Sequence, residues 1–243
     1  MTSKAMRTTL ILAGLLLAVT PAWAQRYQQP HRGFYERDGA FRLFVGDFRP
    51  EGDSEYWNDK DRLFTGAAGG AEDMENASFG LSYLLPLSRY LSLEFAGTAF
   101  SGDTTQSYRD FVDNFGDRIR HDTSLDLATA TVGVVLHPLG SNAPVSPYIG
   151  AGAGSFFWSL EEKGDFIDFG HNNEVFFANL KDDGVAFGYY YLLGLEAPIT
   201  QRLSLFGEGR WSHAKDTLSD DFEGFGDLDL SGTTYLVGIS WNL

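Results

Sequence analysis

Apolar side chains alternate with small or polar ones through the last twelve residues, 232–243, and this alternation restricts the fold more than any other feature. The apolar row is Tyr235, Val237, Ile239, Trp241 and Leu243, and Leu236 is the one exception in the opposite row. A period of two places alternate side chains on opposite faces of a β-strand. Both a membrane barrel and a soluble β-sandwich can end on such a strand.

Seven further segments alternate in the same way, which gives eight predicted strands and an all-β fold. They cover residues 41–46, 78–85, 91–98, 123–136, 148–158, 185–196 and 203–212. In the fourth, Leu125 and Leu127 have the opposite parity to Val132 and Val134, which predicts a bulge or a shift in register. In the fifth, glycine and alanine alternate, so the pattern leaves its facing undecided.

The connections between these segments alternate between long and short. Residues 49–76, 101–122, 161–184 and 213–230 are long, and residues 85–90, 138–146 and 197–202 are short and each contain a proline. An up-and-down transmembrane barrel has this organisation, with long loops on one side and short turns on the other. A soluble sandwich has no reason to keep it. Residues 87–93 and 199–205 also resemble each other, which favours a meander of similar hairpins.

The amino terminus has the pattern of a secretory signal peptide. Lys4 and Arg7 precede the apolar stretch 10–19, which is too short to span a bilayer, and Ala22-Trp23-Ala24 forms a small-residue cleavage site. We therefore expect a signal peptide at 1–24, a polar leader at 25–39 and a barrel at 40–243. Because the chain has no cysteine, neither disulfides nor thiolate metal sites are expected.

Acidic residues concentrate in the long connections, which hold 26 of the 33 Asp and Glu residues of the chain. The net charge of −15 argues against nucleic acid, because binding a polyanion requires a basic patch. Oxygen-rich loops could bind divalent cations, but no stretch has the regular spacing of a dedicated calcium loop. Aromatic residues interleave with these acids, and the pattern leaves open whether they pack the loops together or form an exposed patch: Tyr56, Trp57, Phe111, Phe115, Phe166, Phe169, Phe176 and Phe177.

The pattern resembles the small eight-stranded outer-membrane barrels of the OmpA, OmpX and OmpW kind. The resemblance rests on three stretches, 147–152 (PYIGAG), 205–211 (LFGEGRW) and 235–243 (YLVGISWNL). It implies a monomer in the outer membrane of a Gram-negative bacterium, surrounded by lipid, with the long loops extracellular. It also implies that the terminal strand pairs with the first and that Tyr235, Val237, Ile239, Trp241 and Leu243 form a signal for the barrel-assembly machinery. The family usually ends on Phe, from which Leu243 departs.

Five charged residues fall on the inward parity of the predicted strands: Arg42, Glu94, Glu196, Glu208 and Arg210. An eight-stranded barrel is just wide enough to be filled by side chains, so we expect these charges to pair in a polar network within the lumen. A path for protons or solutes is the alternative. Ser212 and His213 weakly resemble the serine and histidine of barrel lipid A deacylases, but neighbouring strand residues face opposite sides.

The sequence therefore predicts an eight-stranded outer-membrane barrel with no catalytic, cofactor or metal site. Its expected role is structural or surface-interacting, through long acidic extracellular loops. A passive conduit for small apolar solutes is the main alternative, and a lipid A-modifying enzyme is a third hypothesis.

Overall fold

The computed structural model of the chain describes residues 39–63, 70–112, 116–141, 143–168 and 173–243. The predicted signal peptide and all but the last residue of the leader lie outside these residues. The strands are β1 Ala40–Pro50, β2 Asn76–Pro86, β3 Leu91–Val112, β4 Arg118–Leu136, β5 Ser146–Asp168, β6 Glu174–Pro198, β7 Leu203–His213, β8 Lys215–Thr217, β9 Asp227–Asp229 and β10 Gly232–Asn242. A helix, α1, spans Glu55–Leu63, and short 3-10 helices span Ala71–Met74 and Asp220–Phe222.

Eight of these strands form a closed antiparallel barrel, in the order β1-β10-β7-β6-β5-β4-β3-β2. Closure is made by β10 against β1, where Leu43 pairs with Ile239 and the ladder runs from Ala40 to Pro50. The predicted eight-stranded up-and-down topology is confirmed. β8 and β9 form a separate two-stranded ribbon within the connection from β7 to β10.

The outer wall of the barrel is apolar over a band of limited height. Along β6 the outward side chains from Val185 to Leu195 are apolar and exposed. Strands rise about 3.3 Å per residue and tilt by about 40° in such barrels, so these residues span about 25 Å along the axis. The band ends abruptly in the direction of the long connections. There the outward row Ala99, Ala128, Phe157 and Val185 is followed by Ser101, Asp126, Ser159 and Asp183.

Two of the short turns have the same hydrogen-bonding pattern, which explains the similarity of residues 87–93 and 199–205. The amides of Leu87 and Ser88 donate to the Leu91 carbonyl at 2.8 and 2.9 Å, and those of Ile199 and Thr200 donate to the Leu203 carbonyl at the same distances. The Ser88 and Thr200 hydroxyls accept hydrogen bonds from the Leu91 and Leu203 amides. Each turn thus directs its chain into the following strand in the same way.

The long connections 101–122 and 161–184 are mostly strand, which corrects their prediction as loops. β3 and β4 pair as far as Val112 and Arg118, and β5 and β6 as far as Asp168 and Glu174. The period of two continues in these segments, but polar side chains such as Thr104 and Gln106 occupy the inward row. Four strands therefore extend well beyond the apolar band, and we call this the hairpin end, in contrast to the turn end.

The fourth strand does not contain the predicted bulge or shift. β4 pairs with β5 without interruption from His121 to Leu136, and the register irregularity lies instead in β3 between Ser107 and Val112. Leu125 and Leu127 point inward while Val132 and Val134 point outward. The two pairs of residues have opposite parity because apolar side chains also line part of the interior near the hairpin end. An apolar residue in this strand can therefore face either the interior or the lipid.

Glycines on neighbouring strands make room for large inward side chains. The facing of β5 is now resolved: Gly150, Gly152 and Gly154 lie on its inward row. A Cβ atom built on Gly152 would lie 2.7 Å from Cε1 of Tyr190. Similar distances separate Gly188 from Phe156 and Gly238 from Phe206. Each of these rings therefore lies across the backbone of the adjacent strand.

Candidate functional site

The barrel interior nearer the turn end contains a layer of paired charges. Arg210 on β7 lies between two carboxylates, with its Nη2 atom 3.1 Å from Oε2 of Glu94 and its Nε atom 2.9 Å from Oε1 of Glu208. Tyr190 donates a hydrogen bond to Glu94 at 2.8 Å, and Tyr148 donates one to Glu208 at 3.1 Å. Each carboxylate therefore has both a guanidinium and a phenol as partners.

A second ion pair completes this layer. Arg42 on β1 forms a salt bridge with Glu196 on β6, and both side chains are buried. The guanidinium carbon lies 4.9 Å from the centre of the Tyr148 ring and 4.6 Å from that of Phe206. The structure thus brings all five sequence-predicted lumen residues into one region. Among the described residues of the layer, three carboxylates face two guanidinium groups.

The interior nearer the hairpin end is an apolar core. The barrel wall contributes Phe48, Phe100, Leu125, Leu127, Phe156, Trp158 and Leu160. Two connections fold into this wall and fill it, and we call their inserted side chains the plug: Tyr56 and Trp57 of α1, and Leu218, Phe222 and Leu228 between β7 and β10. Trp57 is only 1% exposed, and its ring lies 4.8 Å from that of Tyr56 in an edge-to-face arrangement.

Helix α1 also buries a lysine among polar groups of the barrel wall. The Lys60 ammonium forms an ion pair with Glu162 on β5 and donates hydrogen bonds to Gln106 on β3 and Thr123 on β4, both at 3.1 Å. Tyr56 donates to the same carboxylate. We call Lys60, Gln106, Thr123 and Glu162 the clasp, because side chains from three adjacent strands converge on one atom of the helix.

The clasp lies beyond the apolar band, because the outward side chains at its level include exposed Asp122 and Lys163. Burial lowers the pKa of Lys60, against the opposing effect of Glu162, and burial raises the pKa of Tyr56 well above its usual value. Burial, followed by the Lys60 charge, lowers the pKa of His121 to about 4. The His121 Nε2 atom lies 3.6 Å from Oε2 of Glu162.

The clasp and plug were not predicted from the sequence. Tyr56, Trp57 and Lys60 have the spacing i, i+1 and i+4, which places them on one face of a helix, and this was the local signal available. The other loop aromatics divide into two groups. Phe111 packs against the buried Tyr108, whereas Phe177 is 65% exposed. Phe115 and Phe169 lie outside the described residues.

No arrangement suited to acyl transfer is formed by Ser212 and His213. The Ser212 hydroxyl donates to the Gly232 carbonyl, while the His213 ring packs against Tyr189 and Tyr191 on the outer wall. Within the part of the chain that the structure describes, no group of three or more His, Cys, Asp or Glu side chains has the geometry to hold a metal ion. Across the same residues, no helix is sufficiently long and apolar to span a bilayer.

A sequence model of the family described as outer membrane protein beta-barrel domain matches residues 10–242. The chain belongs to this family. Its localisation is therefore the outer membrane and its apolar band faces lipid; barrels of this kind carry their longer loops on the extracellular side. The rings of Tyr189, Tyr191, Trp211 and His213 cluster on the outer wall of β6 and β7.

Solved structures with a similar fold include three outer-membrane proteins. OprG from Pseudomonas aeruginosa is 12% identical, with 85% of this chain and 97% of that chain covered and a TM-score of 0.51. Neisserial surface protein A is 10% identical over 85% and 97% of the chains, with a TM-score of 0.47. Ail from Yersinia pestis is 15% identical over 86% and 99%, with a TM-score of 0.41. No curated protein sequence matches the chain significantly.

Proposed function

We propose that this outer-membrane barrel is a non-catalytic structural and surface-interaction protein that presents an acidic extracellular surface to cationic partners. The observation that carries the proposal is the filled interior: the charged layer and the plugged apolar core occupy two successive levels of the barrel with buried side chains. The extracellular surface remains as the part of the molecule available to partners.

The acidity of that surface is concentrated beside the plug. Exposed carboxylates of the connections between β1 and β2 and between β7 and β10 are Glu51, Asp53, Glu55, Glu72, Asp73, Glu75, Asp220, Asp221, Glu223 and Asp227. A surface with one sign of charge attracts partners of the opposite sign and speeds their association, in a manner that salt screens. We call these two connections the acidic shoulder.

The barrel-assembly role of the terminal strand remains part of this proposal. Tyr235, Val237, Ile239 and Trp241 all point outward from β10 and are exposed to lipid, as is Leu243 after the strand. Inward, the same strand contributes Leu236 and Ser240. An outward apolar row at the closing seam is accessible to a protein that guides insertion.

Binding of fluorescent poly-L-lysine to the full-length protein in lipid nanodiscs tests the surface role. We expect saturable binding at 20 mM salt that falls steeply at 300 mM, and loss of most binding when Glu72, Asp73 and Glu75 are replaced by Gln, Asn and Gln. The matched control removes the same number of carboxylates from the extended strands β4, β5 and β6, with Asp122, Asp165 and Asp183 replaced by Asn. Equal binding by all three proteins would refute the proposal.

Two further assays distinguish the alternative functions. In planar lipid bilayers we expect no steady conductance, because both levels of the interior are packed. Steady channels would instead indicate a conduit. With purified lipopolysaccharide we expect no release of fatty acid, and release would indicate a lipid A-modifying enzyme.

A further inference from the structure

Helix α1 is anchored to the barrel interior by two kinds of contact that differ in how they can be broken. Tyr56 and Trp57 bury apolar surface against the wall, and this attraction has no fixed direction. Lys60 instead requires its three partners on β3, β4 and β5 at hydrogen-bonding distance. The clasp therefore fixes where the helix sits, whereas the plug side chains fill the space beneath it.

The ion pair of the clasp is almost completely removed from water. The side chains of Lys60 and Glu162 are 7% and 5% exposed. A buried ion pair is weak evidence for stability, because a well-packed apolar pair at the same place is often as stable, but removing one partner leaves an uncompensated buried charge. Both charges together anchor the helix, and removing one of them weakens that anchor.

The wall beneath α1 would become accessible if the helix left. It is formed by aromatic and aliphatic side chains, including Phe100, Leu125 and Trp158. The layer of Arg42, Glu94 and Arg210 lies nearer the turn end and is held together by its own ion pairs. Departure of the helix would consequently open a cup to the outside without opening a path through the barrel.

We propose that α1 is a removable part of the plug, secured by the Lys60–Glu162 ion pair of the clasp, and that its release exposes an apolar cup at the extracellular surface while the lumen stays closed. This inference does not depend on the acidic shoulder or on its partners. It assigns the clasp a conformational role. It predicts that the inner wall near the hairpin end becomes accessible to a chemical label while the barrel still does not conduct ions.

Thiol labelling can measure this opening without background, because the chain has no cysteine. Leu125 is 1% exposed on the wall of the cup, so we place the probe there as Leu125→Cys in the full-length protein in nanodiscs. With the clasp intact we expect slow labelling by a membrane-impermeant maleimide. Glu162→Gln or Lys60→Met should each raise the labelling rate at least tenfold and leave planar bilayers silent.

An exposed ion pair between β5 and β6 provides the matched control. Lys181 and Glu161 are 3.0 Å apart, and their side chains are 58% and 35% exposed. Lys181→Met should leave the labelling rate within twofold of the rate measured for Leu125→Cys with the clasp intact. The exchange Lys60→Glu with Glu162→Lys restores opposite charges and should return the rate most of the way toward its original value.

The outcomes that overturn the proposal are specific. If Glu162→Gln and Lys60→Met fold, as judged by their heat-modifiable mobility in gels, but label at the original rate, the clasp does not secure the helix. If labelling rises together with steady conductance, the opening involves the whole interior. Should either single variant fail to fold, Lys60→Met combined with Glu162→Met keeps the site uncharged and apolar. This double variant must then label slowly, and rapid labelling refutes the proposal.

Discussion

Replacing Trp57 by alanine removes the largest side chain of the plug and should destabilise the barrel strongly. Trp57 is 1% exposed within the apolar core, so its truncation loses apolar burial and leaves a cavity. Such substitutions of a buried Trp cost about 3–5 kcal/mol. Trp57 Nε1 also donates a long hydrogen bond of 3.4 Å to the Asp229 carbonyl, and its loss adds about 0.5–1.5 kcal/mol.

Equilibrium unfolding in lipid vesicles by guanidinium chloride measures this loss. With a slope of about 4 kcal/mol per molar, a change of 4 kcal/mol shifts the midpoint by about 1 M. The indole ring itself should fit the cavity, and at ten times its Kd it would restore about 1.4 kcal/mol. Phe225→Ala is the matched control, because this aromatic side chain of the same region is 47% exposed and should change stability little.

Trp57→Ala would refute the packing described for α1 if its midpoint moved no further than that of Phe225→Ala. An unchanged midpoint would mean that the helix does not fill the interior under the conditions of the measurement. A large shift without rescue by indole would mean that the wall collapses into the space left by the ring.

Three further predictions concern the interior. Arg210→Met leaves Glu94 with a buried charge that has lost a partner, which should cost about 3–5 kcal/mol in the same unfolding assay, and a loss below 1 kcal/mol would contradict the pairing. Gly194→Val introduces atoms where the Tyr148 ring lies and should lower the midpoint, whereas Gly194→Val with Tyr148→Ala should recover part of the loss. Because the pKa of His121 is lowered to about 4 from about 6.5 in an unfolded chain, stability should fall as pH decreases from 6.5 to 4, by about 3 kcal/mol in total. His121→Gln should lack that component of the pH dependence, and identical pH profiles for both proteins would contradict burial of the neutral ring.

Much of the barrel could be predicted because its outer wall obeys a simple rule. Lipid accepts only apolar side chains, so Leu43, Val45 and Val237 alternate with inward residues and reveal the strands. The rule failed for Leu125 and for the hairpin end. There the outer wall faces water and the inner wall carries both apolar side chains such as Leu125 and polar ones such as Gln106, so the period persists without the polarity that marks the lipid-facing part of the strands.

The clasp could not be predicted because its members are brought together only by the closed barrel. Lys60 is 46 residues from Gln106 and 63 from Thr123 in the chain, and its surroundings in sequence are rich in charge. A lysine in such a segment is typical of a solvated surface. Which side chains of α1 are buried becomes apparent only when β3, β4 and β5, which follow the helix in the sequence, are placed around it.

The unequal strand lengths give the rim at the hairpin end a stepped outline. β3 pairs with β2 only as far as Phe100 and then continues to Val112, whereas β1, β2, β7 and β10 each have 11 residues. The stretch of β4 that pairs with this extension, residues 118–126, has nine residues, which at about 3.3 Å per residue and a tilt of about 40° rise about 23 Å beyond the end of the β2–β3 ladder. A broad, flat object approaching the cell would touch only the crest of the tall hairpins. A narrow or flexible polymer bends past that crest more easily, so the difference in strand length itself restricts which shapes can reach the connections on the lower side.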